Sequence, residues 1–245
     1  MSSLEGRSIV LAGATGGLGA ATAKLLAAEG ARLLLGYAHD TARAEGVRRE
    51  CGAGAALCQA DLLTAGGRQA LLDAAPDLYG LVVLLGDPAR GQDEATLRRS
   101  VEINFLAPAL LAREAASRLT AARTPGAIVL VPSMQATYVF EGSTAYAAPK
   151  AALIHAARIL AKECAGLRVN VIAPGVTDAG MAEASVRAGK YDRFLEGGLI
   201  PRLGRAEDVA RAVRFLLEPD HYITGQVITV DGGLTLRRDL PPSPP

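Results

Sequence analysis

The feature that most constrains this chain is a strand signal running without interruption into a glycine-rich turn and then a helix. Residues 7–12 end in the apolar run Ile9-Val10-Leu11-Ala12, as a strand buried on both faces should. Gly13-Ala14-Thr15-Gly16-Gly17-Leu18-Gly19 follows, and a helical pattern over residues 20–29 stops at Gly30. Glycine lets the backbone turn sharply and approach a pyrophosphate closely, and a helix N-terminus offers unpaired N–H donors and positive dipole. The spacing is Gly-x-x-x-Gly-x-Gly, not Gly-x-Gly-x-x-Gly. The alternative is an ordinary glycine-rich βα turn.

The chain keeps the same alternation to its end. Strands are predicted over residues 32–36, 55–60, 80–85, 127–131, 168–173 and 226–230. Helices are predicted over 41–51, 67–75, 206–217 and an Ala-rich run at 151–161, with one long amphipathic segment at 94–122. This predicts an α/β fold: a single-domain, Rossmann-type, doubly wound parallel sheet of seven strands with helices on both faces, spanning 1–236. A Pro-rich tail, 237–245, is expected to be extended or disordered.

Composition narrows the function. Half of the 245 residues are hydrophobic and 21% are charged, so a large core is expected. The formal charge is +1 with no basic cluster, which argues against a nucleic-acid partner. Cys51, Cys58 and Cys164 lack Cys-x-x-Cys spacing and fit reduced thiols. His39, His155 and His221 are scattered, so no metal site is expected. Without a leader-like N-terminus or a membrane-length apolar run, the expectation is a cytoplasmic protein with no membrane partner.

Chemistry concentrates in Ser143-Thr144-Ala145-Tyr146-Ala147-Ala148-Pro149-Lys150. Tyr146 and Lys150 are four residues apart and share one face of a helix. A free Tyr holds its proton to a pKa of about 10. An ammonium within reach favours the phenolate and makes the phenol a usable proton donor or acceptor near neutrality. Taken alone, the pair also fits a chance helical spacing.

Together these segments resemble the short-chain dehydrogenase/reductase superfamily over roughly residues 5–236, most closely its 3-oxoacyl-[acyl-carrier-protein] reductase members. The matches come in family order: Gly13-x-x-x-Gly17-x-Gly19; Asp61 after the third strand; Asn104 in Val101-Glu102-Ile103-Asn104; Ser133 thirteen residues before Tyr146-x-x-x-Lys150; residues 168–175; Tyr222-Ile223-Thr224-Gly225-Gln226; and Val230-Asp231-Gly232-Gly233. The resemblance implies hydride transfer between a nicotinamide cofactor and a carbonyl or acyl-thioester substrate. Tyr146 would donate the proton and Ser133 would orient the carbonyl. Lys150 would bind the ribose and lower the Tyr146 pKa, and Asn104 would hold a relay water. It places cofactor contacts at Gly13, Thr15, Gly16, Gly17, Leu18, Gly19, Tyr37, His39, Asp61, Leu62, Gly86, Tyr146, Lys150, Pro174 and Val176. Read by themselves, Ser133 also suits a strand-end turn, Asn104 a helix bend and Asp61 the cap of the next helix.

Four positions depart from the family pattern. Ala12 stands where Thr is usual, Val83-Leu84-Leu85-Gly86 where Asn-Asn-Ala-Gly is usual, and Ala179 where Thr is usual, with Thr177 nearby. Pro149 removes an N–H just before Lys150. At the end of the second strand, where an acidic residue selects NAD(H), the chain has Tyr37-Ala38-His39. NADP(H) is therefore favoured, with NAD(H) the alternative. Residues 176–198 correspond to a substrate lid with Gly180, Gly189, Gly197 and Gly198 as hinges and Arg187, Lys190 and Arg193 as its cations. Met134, Tyr138, Phe140 and Met181 suggest an apolar pocket. Ala147, Ala151, Ala152 and Ala156 would allow close helix approach in a homotetramer or homodimer.

Overall fold

The alternation of side chains along the strands sorts the core into two halves. In β1 (Ser8–Ala12), Ile9 and Leu11 face one side and Val10 and Ala12 the other, and all four are buried. The computed structural model describes residues 3–237; the Pro-rich tail lies outside the described residues except for Arg237. β2 (Arg32–Tyr37), β3 (Ala55–Gln59), β4 (Leu78–Val83), β5 (Gly126–Leu130), β6 (Leu167–Pro174) and β7 (Val227–Val230) complete a sheet in the order β3-β2-β1-β4-β5-β6-β7. Every neighbouring pair is parallel, so the seven-stranded doubly wound sheet is as predicted.

One face is covered by α1 (Gly17–Ala28), α2 (Thr41–Cys51) and α9 (Ala206–Leu217), which bring Ala23, Leu26, Val47, Val209, Val213 and Leu216 onto Ile9, Leu11, Leu33, Leu35 and Val129. The other is covered by α3 (Ala65–Asp73), α5 (Ala107–Ala121) and α6 (Thr144–Glu163), whose Leu71, Leu111, Ala115, Leu153 and Ala157 pack on Val10, Leu81, Ile128 and Val169. Each fully buried Leu or Ile contributes about 1.5–3 kcal/mol. The long amphipathic segment at 94–122 is α4 (Glu94–Val101) and α5 joined by a π turn, Glu102–Leu106. Pro108 gives the reason: it has no N–H for the Asn104 carbonyl four residues back, and its ring would crowd that carbonyl in a regular helix.

The residues expected to form a lid are short pieces: a turn of 3₁₀ helix at Gly180–Ala182, α7 (Glu183–Arg187) and α8 (Asp192–Glu196). Phe194 anchors them in a small core with Met134, Val176, Ile200 and Leu234, the last from α10 (Leu234–Arg237). Gly180, Gly189 and Gly198 take left-handed backbone, whereas Gly197 does not (φ −77°) and needs no glycine on that ground. The two late motifs lock the C-terminal strands. Asn170 donates to the Ile223 carbonyl and accepts from the Gln226 N–H (2.9 and 3.0 Å), and a Cβ on Gly175 would lie 2.6 Å from the Asp231 Cα.

Candidate active site

The C-terminal edge of the sheet opens into a cleft of about 900 Å³, and the chain order explains why it forms there. Strand β1 ends at the glycine turn, β4 at Leu84-Leu85-Gly86, β5 at Ser133 and β6 at Pro174, all of which line it. The strand order reverses beside β1, where a doubly wound sheet leaves a crevice.

The glycine turn is shaped by close approach. Gly13 has φ +88°, and a Cβ there would sit 3.1 Å from the Leu84 carbonyl oxygen. At Gly19 a Cβ would fall 2.3 Å from the Gly13 carbonyl oxygen, and at Gly17 2.6 Å from the Gly180 nitrogen of the lid. No side chain caps α1 at Gly16, so its first amides face the cleft without an intrahelical partner. Together with the bare Gly16–Gly17 edge, this donor set fits an anionic diphosphate. Where Asn-Asn is usual, main-chain ladder bonds run on past the strands: Leu84 N–H donates to the Ala12 carbonyl and Val131 N–H to the Val83 carbonyl, both at 2.9 Å.

Tyr146 and Lys150 lie one turn apart on α6, and Ser133 reaches them from the end of β5. The Ser133 hydroxyl lies close enough to Tyr146 to act on its phenol, while its oxygen accepts from the Gln135 N–H (3.2 Å). Burial pushes the Tyr146 phenol above its usual range, the Ser133 hydroxyl draws it back, and the nearby Tyr191 phenol pushes it up again. Lys150 is 1% exposed; burial brings its pKa down to about 7, and its Nζ donates to the Leu85 carbonyl (2.7 Å). Lys150 is not among the groups that move the Tyr146 phenol here, its Nζ lying 5.8 Å from the ring centroid. Here the phenol's acidifying partner is Ser133.

Asn104 is buried and does not itself line the cleft. Its amide is consumed by protein, donating to the Asp87 carbonyl (3.0 Å) and Ser100 Oγ (2.8 Å) and accepting from the Asp87 N–H (3.0 Å). It clamps the β4–α4 loop with its side chain, so a water there would fall to its main-chain carbonyl, which Pro108 leaves without a helical donor. Ser100 passes the network on, donating to the Ala145 carbonyl at 2.5 Å. Pro149 lies in the second turn of α6, where its missing N–H would have served that same carbonyl. Ser100, buried beside Tyr146, was missed from sequence; the signal was a Ser four residues before Asn104 together with a Pro four residues after Ala145.

Of the residues named from sequence, Gly13, Gly16, Gly17, Leu18, Gly19, Gly86, Ser133, Tyr146, Lys150, Pro174 and Val176 line the cleft, and Thr15, Asn104, Tyr37, His39, Asp61 and Leu62 do not. Tyr37 and His39 are at the end of β2. Asp61 folds back on the Leu63 N–H (3.0 Å), and the cap of α3 is Thr64, not Asp61. The Leu62 side chain is in the core, which leaves only its backbone for a ligand. Met134, Phe140 and Met181 line the cleft but Tyr138 does not, its ring meeting Phe140 edge-on at 5.9 Å. Thr177 spends its hydroxyl on the Gly175 carbonyl (3.2 Å). Among the described residues no group of three or more His, Cys, Asp or Glu could hold a metal, and no helix is long and apolar enough to cross a membrane.

The family model described as enoyl-(acyl carrier protein) reductase matches residues 13–235. The chain belongs to the short-chain dehydrogenase/reductase family. Members of this family are NAD(P)-dependent oxidoreductases acting on small molecules, and this chain is one of them. It is 36% identical to the cis-4-hydroxycyclohexanecarboxylate dehydrogenase of Sinomonas cyclohexanicum, over 94% of this chain and 96% of that one. It is 31% identical to the 3-oxoacyl-[acyl-carrier-protein] reductase of a Synechocystis species, over 96% and 100%. A solved short-chain dehydrogenase/reductase from Mycobacterium ulcerans superposes with a TM-score of 0.88 at 26% identity, covering 95% of this chain and 91% of that one.

Proposed function

We propose that this short-chain dehydrogenase/reductase reduces the carbonyl of a 3-oxoacyl-thioester-like or other oxo substrate with NADPH, using Tyr146, Ser133, Lys150 and Asn104. The observation that carries this reading is that Ser133, Tyr146 and Lys150 line the same cleft as the uncapped glycine turn. A nicotinamide dinucleotide bound there supplies the hydride. Gly16, Gly17, Leu18 and Gly19 would hold its diphosphate, with Tyr37, His39, Asp61 and the Leu62 backbone toward its adenosine end and Pro174 and Val176 toward the other.

Tyr146 keeps its proton across neutral pH, which suits a donor to a substrate oxygen that gains negative charge. Ser133 fixes the direction of that oxygen and stabilises its charge. Lys150, neutral for a substantial fraction of molecules near pH 7, can take up or pass a proton without a large electrostatic cost. Asn104 sets the loop that ends at Lys150's acceptor.

Run in reverse, the same groups oxidise a secondary alcohol; the 36% identical relative is named a dehydrogenase, which makes this the second reading. The absence of a carboxylate at Tyr37 favours NADP(H) over NAD(H). The reading includes a homotetramer or homodimer built on the partly exposed Ala147, Ala151, Ala152 and Ala156 face of α6, in the cytoplasm. Following NADPH and NADH absorbance against ketones and acetoacetyl thioesters is the test. Wild type is expected to turn over with NADPH preferred, and Tyr146→Phe to lose about 10²–10⁴-fold in kcat. Dinucleotide binding without turnover would refute it.

A further inference from the structure

The half of the cleft beyond Tyr146 has an unbalanced charge. Its charged lining side chains are Arg90, Lys150, Lys190 and Arg193 against Glu141 alone. Lys150 is committed to the Leu85 carbonyl, deep beside the catalytic pair. Arg90, Lys190 and Arg193 make no ion pair among the described residues, although the chain pairs many of its cations and ties the lid's own Arg187 to Glu183 (3.2 Å). They are not splayed at random either. The Arg193 guanidinium lies 4.9 Å from the Phe194 ring centroid and the Lys190 ammonium 5.8 Å from that of Tyr191. Both rings line the cleft, Phe194 is buried, and Tyr191 lies close enough to Tyr146 to act on its phenol.

This inference rests on the reductase reading and names its substrate class. We propose that the substrate carries an anionic group, carboxylate or phosphate, at the end remote from the reacting carbonyl, held by Arg90 from one wall and Lys190 and Arg193 from the lid. The apolar walls at Met134, Phe140 and Met181 take the body between them. The cofactor does not account for these cations. Its diphosphate belongs to the start of α1, and a 2′-phosphate would lie at the end of β2, whose Tyr37 and His39 are outside this cleft. Arg90, Lys190 and Arg193 are exposed at the cleft, so their attraction for an incoming anion is open to screening and should weaken as salt is raised.

The test compares matched substrates. With NADPH, laevulinate and acetoacetate are set against their methyl esters, and acetoacetyl-phosphopantetheine against the uncharged N-acetylcysteamine thioester. A kcat/KM at least about tenfold higher for the charged member of either pair is expected; the pair that shows it says whether carboxylate or phosphate is the natural group. In Lys190→Gln, Arg193→Gln and Arg90→Gln that charged-to-neutral ratio should fall roughly three- to tenfold each. In Arg187→Gln, whose partner is Glu183, it should hold. Equal kcat/KM within both pairs overturns the inference and leaves the reductase reading standing. No turnover of any of the six overturns the reductase reading instead. Calorimetric titration of acid and ester into NADPH-saturated protein then decides the inference alone, a matched affinity sinking it.

Discussion

A single hydroxyl carries much of the site's geometry. Ser100 Oγ donates to the Ala145 carbonyl and accepts from Asn104, so removing it strands a buried carbonyl on the residue before Tyr146. Ser100→Ala is expected to cost about 1–3 kcal/mol in denaturant unfolding. It should also lower kcat more than it raises KM, since a purely structural loss would leave the active fraction's kcat intact. Lys150 gives a second residue-scale expectation. Its folded pKa of about 7 lies below its ordinary value of 10.5, so between those values the unfolded chain binds more protons and this residue's share of stability grows as pH rises. Wild type should gain up to about 1.4 kcal/mol per pH unit relative to Lys150→Met from pH about 7 to about 9. A flat difference in unfolding free energy across that range would show the amine stays charged. That Ser133, Tyr146 and Lys150 would meet in one cleft was legible in the sequence through the family resemblance, since spacing alone links only Tyr146 and Lys150. Which groups act on the phenol was not, because that depends on where Nζ points and on how residues from two different elements are brought together.

At the scale of elements, Pro149 and Ser100 form one device. The helix continues from Thr144 to Glu163 although proline removes a donor in its second turn, because α4 lends one from outside. A double-mutant cycle tests this directly. In a Pro149→Ala background the restored N–H can serve the Ala145 carbonyl, so Ser100→Ala should cost about 1 kcal/mol less than it does in wild type. Additive costs would mean the two residues act separately. The bounds of α2 and α9 were found from sequence, the start of α2 at Asp40, whose side chain caps it, and the course of α9 from its strong apolar face. The break at Glu102–Leu106 was hidden, since amphipathicity runs through it and only Pro108 marks the place. The lid's short helices were equally hidden, being too brief for a period to show.

For the whole molecule, the sheet order brings four strand ends to one edge, and function follows from what those ends carry. The doubly wound architecture was readable because strand and helix signals alternate along the entire chain. The unpaired charge of the outer cleft was not, because Arg90 and the lid's Lys190 and Arg193 come to one cleft only through folding. One contact links the two functional halves: Gly17 of the first turn and Gly180 of the lid lie so close that a methyl group on the former would collide with the backbone of the latter. Whatever enters at the start of α1 must therefore share space with the segment that covers the substrate. Filling that point with Gly17→Ala should prise the segment away and weaken dinucleotide and substrate together, measured as a rise in both Kd for NADPH and KM. Cofactor and substrate would on this account be admitted in sequence, the nucleotide first, because its seat is the hinge stop on which the cover comes to rest.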